Sequence, residues 1–167
     1  MSGSLFAAIC GHPWWLRLLG FLACLGLVAL VSSQAPDGLI VFGTPYLHNL
    51  AHAPLFGLLA MSFLVLRGQD SPRRPAVWAA TLALVLVAGF LDEWHQLSIP
   101  GRGSDAKDVV TDLLGGLISL LVAAWAARTP LNLRGGLLPV TSAVVVLLLW
   151  GLVVTEGPVL PLPFVQP

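Results

Sequence analysis

DEWHQLSIPGRGSDAKDVVTD, residues 92–112, decides the fold. It carries seven charged side chains (Asp92, Glu93, Arg102, Asp105, Lys107, Asp108 and Asp112) and His95 within 21 residues. Long apolar runs flank it, from about Ala76 up to Leu97 and from about Ala106 to Ala127. A span needs ~20 apolar residues. The stretch therefore reads as the connection between two membrane helices, with Pro100, Gly101, Arg102 and Gly103 in the loop. Charges at membrane depth are costly and persist where they pair, bind something or react. The same stretch thus holds most of the functional information.

Composition agrees. The chain has 167 residues, 57% hydrophobic and 10% charged, with a mean hydropathy of +0.89. A soluble domain carries roughly a quarter charged residues. These values describe an all-α integral membrane protein of one compact domain. Formal net charge is zero, with no basic tail or patch, which argues against a nucleic-acid partner. Cys10 and Cys24 show no metal-ligand spacing and read as small apolar side chains.

Three further runs complete a bundle of five expected helices. The spans are about 14–32, 47–66, 76–97, 106–127 and 137–154. Residues 1–13 form an N-terminal segment, 14–154 the transmembrane domain and 155–167 a proline-rich tail that cannot continue a helix. The first run resembles a signal peptide in part, but its length favours a retained helix. Lys and Arg set the orientation. Arg17, Arg67, Arg73, Arg74, Arg128 and Arg134 fall on one side, and Arg102 and Lys107 on the other. That bias places the N-terminus in the cytoplasm and the C-terminus outside, in a multi-pass cytoplasmic-membrane protein. The charged stretch then faces the extracytoplasmic side, where its loop, Ser98–Ser104, is expected to dip back.

This topology gathers distant residues at one depth. His48 and His52 stand at i,i+4 at the start of the second span. Asp92, His95 and Gln96 end the third, and Asp105, Asp108 and Asp112 begin the fourth at i, i+3, i+7. Asp105 and Asp108 also suit a helix start, where the dipole favours negative charge. Asp112 lies too deep for that reading. Five carboxylates face one Arg and one Lys. Such crowding raises a pKa, gathers a cation or recruits a histidine. Three explanations stay open. The first is a structural ion-pair cluster around Arg102, with Asp108 as its partner. The second is a divalent-cation site drawn from Glu93, Asp105, Asp108 and Asp112. The third is an acid–base site, with Glu93 or Asp92 working with His52 or His95. Gln96, Arg102, Asp108, Asp112 and His48 are the expected ligand-binding groups. Gly115, Ser119 and Ala123 form a small-residue stripe that reads as close helix packing.

The motif set Asp92-Glu93-Trp94-His95-Gln96, Pro100-Gly101-Arg102 and Asp108 to Gly115 resembles the VanZ-like family of small bacterial membrane proteins. His52, Phe56 and Gly57 match that family's earlier helix. The likeness runs from about His48 to Ser119. It departs where the family's lysine is replaced near Asn49, and where an aromatic gives way to Pro54 or Leu55. The resemblance implies a bacterial envelope protein; the family is named for resistance to teicoplanin. The expected function is to bind or remodel an envelope lipid or lipid-linked precursor through a polar pocket at the outer leaflet. Arg102 would hold an anionic headgroup, and the pocket could affect glycopeptide susceptibility. The alternative is an intramembrane enzyme, a hydrolase or transferase acting on a headgroup by acid–base or metal-assisted chemistry. A small-solute transporter is the remaining alternative, weakened by the confinement of charge to one end.

Overall fold

A computed structural model of the protein describes residues 4–34 and 45–128, with 45–50 by backbone only. The expected fifth span, 137–154, and the tail lie outside the described residues.

Every α or 3-10 element among the described residues is helical. They are α1 (Leu5–Cys10), α2 (Trp14–Ser32), α3 (Pro45–Arg67), a short 3-10 turn (Ser71–Arg73), α4 (Pro75–Gln96) and α5 (Ala106–Ala126). The limits of α2 to α5 lie within two residues of the expected spans. Prolines open α3 and α4. A first-turn N–H has no intrahelical partner, so a residue without one fits there. Gly68, at φ 97°, ends α3, and its N–H donates to Leu64 O at 3.2 Å. Asp105 caps α5, its Oδ1 accepting from Lys107 N at 3.0 Å. α1 was not expected; Ser4 caps it and Phe6 is buried at 1% exposure among α3 and α5 residues.

α2, α4 and α5 are each long and apolar enough to cross a membrane. α3 adds a shorter apolar stretch, Ala51–Arg67. The chain is a helical membrane bundle, and most of α2 faces outward.

α3 and α5 meet backbone to backbone. A Cβ on Gly115 would overlap the Ala53 carbonyl oxygen and sit 2.8 Å from its carbon. Ser119 Oγ donates to Gly57 O at 2.7 Å across the same contact. The expected packing role of the Gly115–Ser119–Ala123 stripe holds, and Ala123 is fully buried. α5 also packs on α4, where Gly116 faces Val85 and Gly89 faces Asp112.

Candidate functional site

The up-and-down path brings the ends of α2 and α4 beside the starts of α3 and α5. Three links mark that end. Ser33 Oγ lies 3.1 Å from His95 Nε2, and His52 Nδ1 lies 3.1 Å from Asp112 Oδ1. The backbone N–H of Asp105 donates to Glu93 Oε2 at 2.7 Å. Arg17, Arg67, Arg73, Arg74 and Arg128 belong to the opposite end of the helices. The loop-charge asymmetry read from sequence is therefore a spatial one.

The centre of the site is the His52–Asp112 pair. α3 supplies the imidazole from its second turn, and α5 supplies a carboxylate with no exposed surface. His52 stacks on Phe56 one turn later, with ring centroids 6.1 Å apart and planes 4° apart. α4 contributes Asp92 and Glu93, both buried. Gln96 Nε2 donates to Asp92 Oδ2 at 2.7 Å, as the i,i+4 spacing allows. One ligand atom from each of His52, Asp92 and Glu93 lies within 4.8 Å of the other two. That donor set, one imidazole and two carboxylates, suits a divalent transition metal.

The carboxylates are only partly satisfied. Glu93 Oε1, Asp108 Oδ1 and Asp112 Oδ2 are buried without a hydrogen-bond partner. Almost all buried polar atoms in folded proteins have a partner, so each exception calls for a reason. A narrow cleft of about 10 Å³ lies against Ser32, His52, Asp92, Gln96 and Arg102. That volume suits about one water or a bare ion. Ser32 Oγ is likewise buried and unpartnered.

The structure sorts the residues proposed from sequence. It brings together His52, Asp92, Glu93, Gln96, Asp108 and Asp112, with Arg102 lining the cleft. His95 stands apart, exposed and in contact with Ser33. Asp105 is an N-cap and also pairs with Lys107, Oδ2 to Nζ, at 3.3 Å. It lies outside the His52–Asp92–Glu93 grouping. Arg102 forms no ion pair with Asp108 among the described residues; the described pairs are His52–Asp112 and Lys107–Asp105. The His48 side chain lies outside the described residues. The loop after α4 is a run of tight turns. Ser98, Ile99 and Arg102 each donate a backbone N–H to the carbonyl three residues earlier, and Gly101 takes a φ of 80°.

Among known families, the VanZ/LLP1 model matches residues 14–127. The chain belongs to the VanZ/LLP1 family. No curated protein and no solved structure matches it. The VanZ/LLP1 match covers α2 through α5, and with them both ends of the bundle.

Two parts of this VanZ/LLP1 site escape the motifs. Gly89 gives Asp112 its room, since a Cβ there would lie 2.7 Å from Asp112 Oδ2. Its signal is positional, three residues before Asp92 on the same helix face. Ser32 lines the cleft from α2, and only its place at the end of a span, level with the charged stretch, marked it.

Proposed function

We propose that this VanZ/LLP1 protein acts on the phosphate-bearing headgroup of an envelope lipid or lipid-linked precursor at the outer face of the cytoplasmic membrane. Arg102 receives the headgroup at the cleft, where a guanidinium fork suits phosphate oxygens. The His52–Asp112 pair and Glu93 move the proton in a hydrolytic or transfer step. Asp112 orients the imidazole, and Glu93 supplies an acid or base from a water-poor setting.

One observation carries this reading. Glu93, Asp108 and Asp112 each bury an unpartnered oxygen, and His52, the partner of Asp112, lines a cleft the size of one water. A headgroup does not fit within about 10 Å³. The headgroup therefore stays at the mouth, and only a water, a proton or a metal reaches the centre. This favours chemistry at the centre over simple enclosure of a lipid.

The test compares cells carrying wild type, Glu93→Gln or Arg102→Ala. Total lipids and lipid-linked precursors are profiled by mass spectrometry, and headgroup binding is measured on purified protein. A lipid species that accumulates with Glu93→Gln, with binding retained, is the expected result. Identical profiles for wild type and Glu93→Gln would sink the chemical reading, and binding that survives Arg102→Ala would remove Arg102 from it.

A metal-assisted form of the same reading is favoured by the His52–Asp92–Glu93 grouping. A cation there would offset the surplus of carboxylates and activate a water. Titration of chelator-treated protein with Zn²⁺ or Mn²⁺ should show one tight site. Asp92→Asn should remove it, and a chelator-treated protein that takes up neither ion would rule this form out.

A further inference from the structure

Among the described residues, a cavity of ligand size lies at the end of the bundle opposite the His52 centre. It measures about 430 Å³ and is lined by Arg17, Arg67, Arg74, Asp70, Gly68 and Cys10. Small-molecule sites span about 300–1,000 Å³. His52 and Arg67 lie fifteen residues apart on α3, about 22 Å along its axis.

Three guanidinium groups face one carboxylate there, and none of the three is in an ion pair among the described residues. Arg17 is built into the wall. Its Nη1 donates to Val65 O at 3.1 Å and Leu66 O at 3.5 Å, closing the last turn of α3. Its Nε is buried and has no hydrogen-bond partner. Gly68 ends the helix in a left-handed conformation, and a Cβ there would lie 3.4 Å from Arg17 Nη1. Arginines that only fix membrane orientation need neither a shared cavity of ligand size nor a buried, unpartnered nitrogen.

We propose that this cavity binds a phosphate oxyanion, carried on an anionic phospholipid headgroup or as free phosphate. Guanidinium groups match phosphate oxygens in number and geometry. Basic pockets between membrane helices are suited to such headgroups. The site is independent of the chemistry proposed at His52.

Cys10 lines the cavity and serves as the reporter, in a Cys24→Ser background of the full chain. Burial pushes the Cys10 thiol up, so the rate is read at one fixed alkaline pH. N-ethylmaleimide labelling is timed in phosphatidylcholine nanodiscs, in discs with added phosphatidylglycerol, and in phosphatidylcholine discs with inorganic phosphate. Each arm is repeated with Arg67→Gln/Arg74→Gln, two exposed positions. Phosphatidylglycerol should slow labelling of the parent protein but not of the double variant. Retention of phosphatidylglycerol in native mass spectra should weaken roughly 25-fold in that variant. Protection by inorganic phosphate alone would assign the site to free phosphate. Equal rates in all three arms, or equal protection of parent and double variant, would overturn the proposal.

Discussion

Gly115→Ala tests whether helix packing sets the geometry of the site. A methyl at Gly115 overlaps the Ala53 carbonyl oxygen and sits 2.8 Å from its carbon and 2.9 Å from Ala53 Cα. Carbon atoms pack best at about 3.5–4.0 Å, so α3 and α5 must part by at least about 0.7 Å. Ala53 follows His52, and Gly115 lies three residues after Asp112. The same movement would stretch the 3.1 Å His52–Asp112 contact to about 3.8 Å, beyond hydrogen-bond range. Overpacking costs about 1–3 kcal/mol, and loss of a buried charge-assisted hydrogen bond about 1.5–3 kcal/mol. The better helix propensity of alanine returns about 1 kcal/mol. The net loss is about 1.5–5 kcal/mol, or roughly 10 °C in melting temperature for a chain of this size. Melting in detergent, followed by size-exclusion chromatography, measures it. Gly26→Ala is the control, because nothing lies within 4 Å of its added Cβ; it should be neutral or slightly stabilising. If both variants melted alike, the close approach of α3 and α5 would not govern stability, and the reasoning would fail.

Gly89→Ala should displace Asp112, because its Cβ would lie 2.7 Å from Asp112 Oδ2; overpacking makes the cost about 1–3 kcal/mol, and any lipid conversion lost with Glu93→Gln should fall with it. His52→Ala leaves the buried Asp112 carboxylate alone, a loss of about 3–5 kcal/mol. His52→Ala/Asp112→Ala should recover part of that, and strictly additive losses in denaturation would deny the pairing. Arg17→Ala removes the guanidinium hydrogen bonds to the Val65 and Leu66 carbonyls and should cost about 1.5–3 kcal/mol, read as a lower melting temperature. Ser98→Cys with both native cysteines replaced by serine should react with an impermeant maleimide added to intact cells; protection until the membrane is opened would reverse the proposed orientation.

Much of the fold was legible because membrane helices announce themselves by length. The apolar runs and the prolines at 45 and 75 placed α2 to α5 closely. α1 was not legible, since six residues leave no periodic signal and only the burial of Phe6 shows its purpose. In the site, helix period gathered Asp92, Gln96, Asp108 and Asp112 correctly. It could not separate Asp105, whose side chain turns to Lys107 and the helix start, from the deeper carboxylates. Nor could it set His95 aside, because the rotation of α4 puts His95 on the exposed face and Glu93 on the buried one. Gly89 was invisible because its contribution is an absent side chain. The Arg17 cavity was missed for another reason: arginines at that end already had a sufficient explanation in membrane orientation.

The proposed function asks more of the polar cluster than a clasp between helices. α3 and α5 are already held by direct backbone packing at Gly115 and Ala53 and by the Ser119–Gly57 hydrogen bond. α4 is joined to α5 through Gly116 and Val85. A clasp added to such contacts would be most stable with its charges mutually satisfied, because an unpartnered buried polar atom costs about 1–3 kcal/mol. Here the Glu93, Asp108 and Asp112 side chains each leave one oxygen unpartnered, and Arg102, the partner expected for Asp108, lines the cleft without joining it. Hydrophobic replacements at these positions would hold the helices at lower cost. Three carboxylates with one unpartnered oxygen each are what the proposed function requires, a site kept ready for a ligand, a metal or a proton.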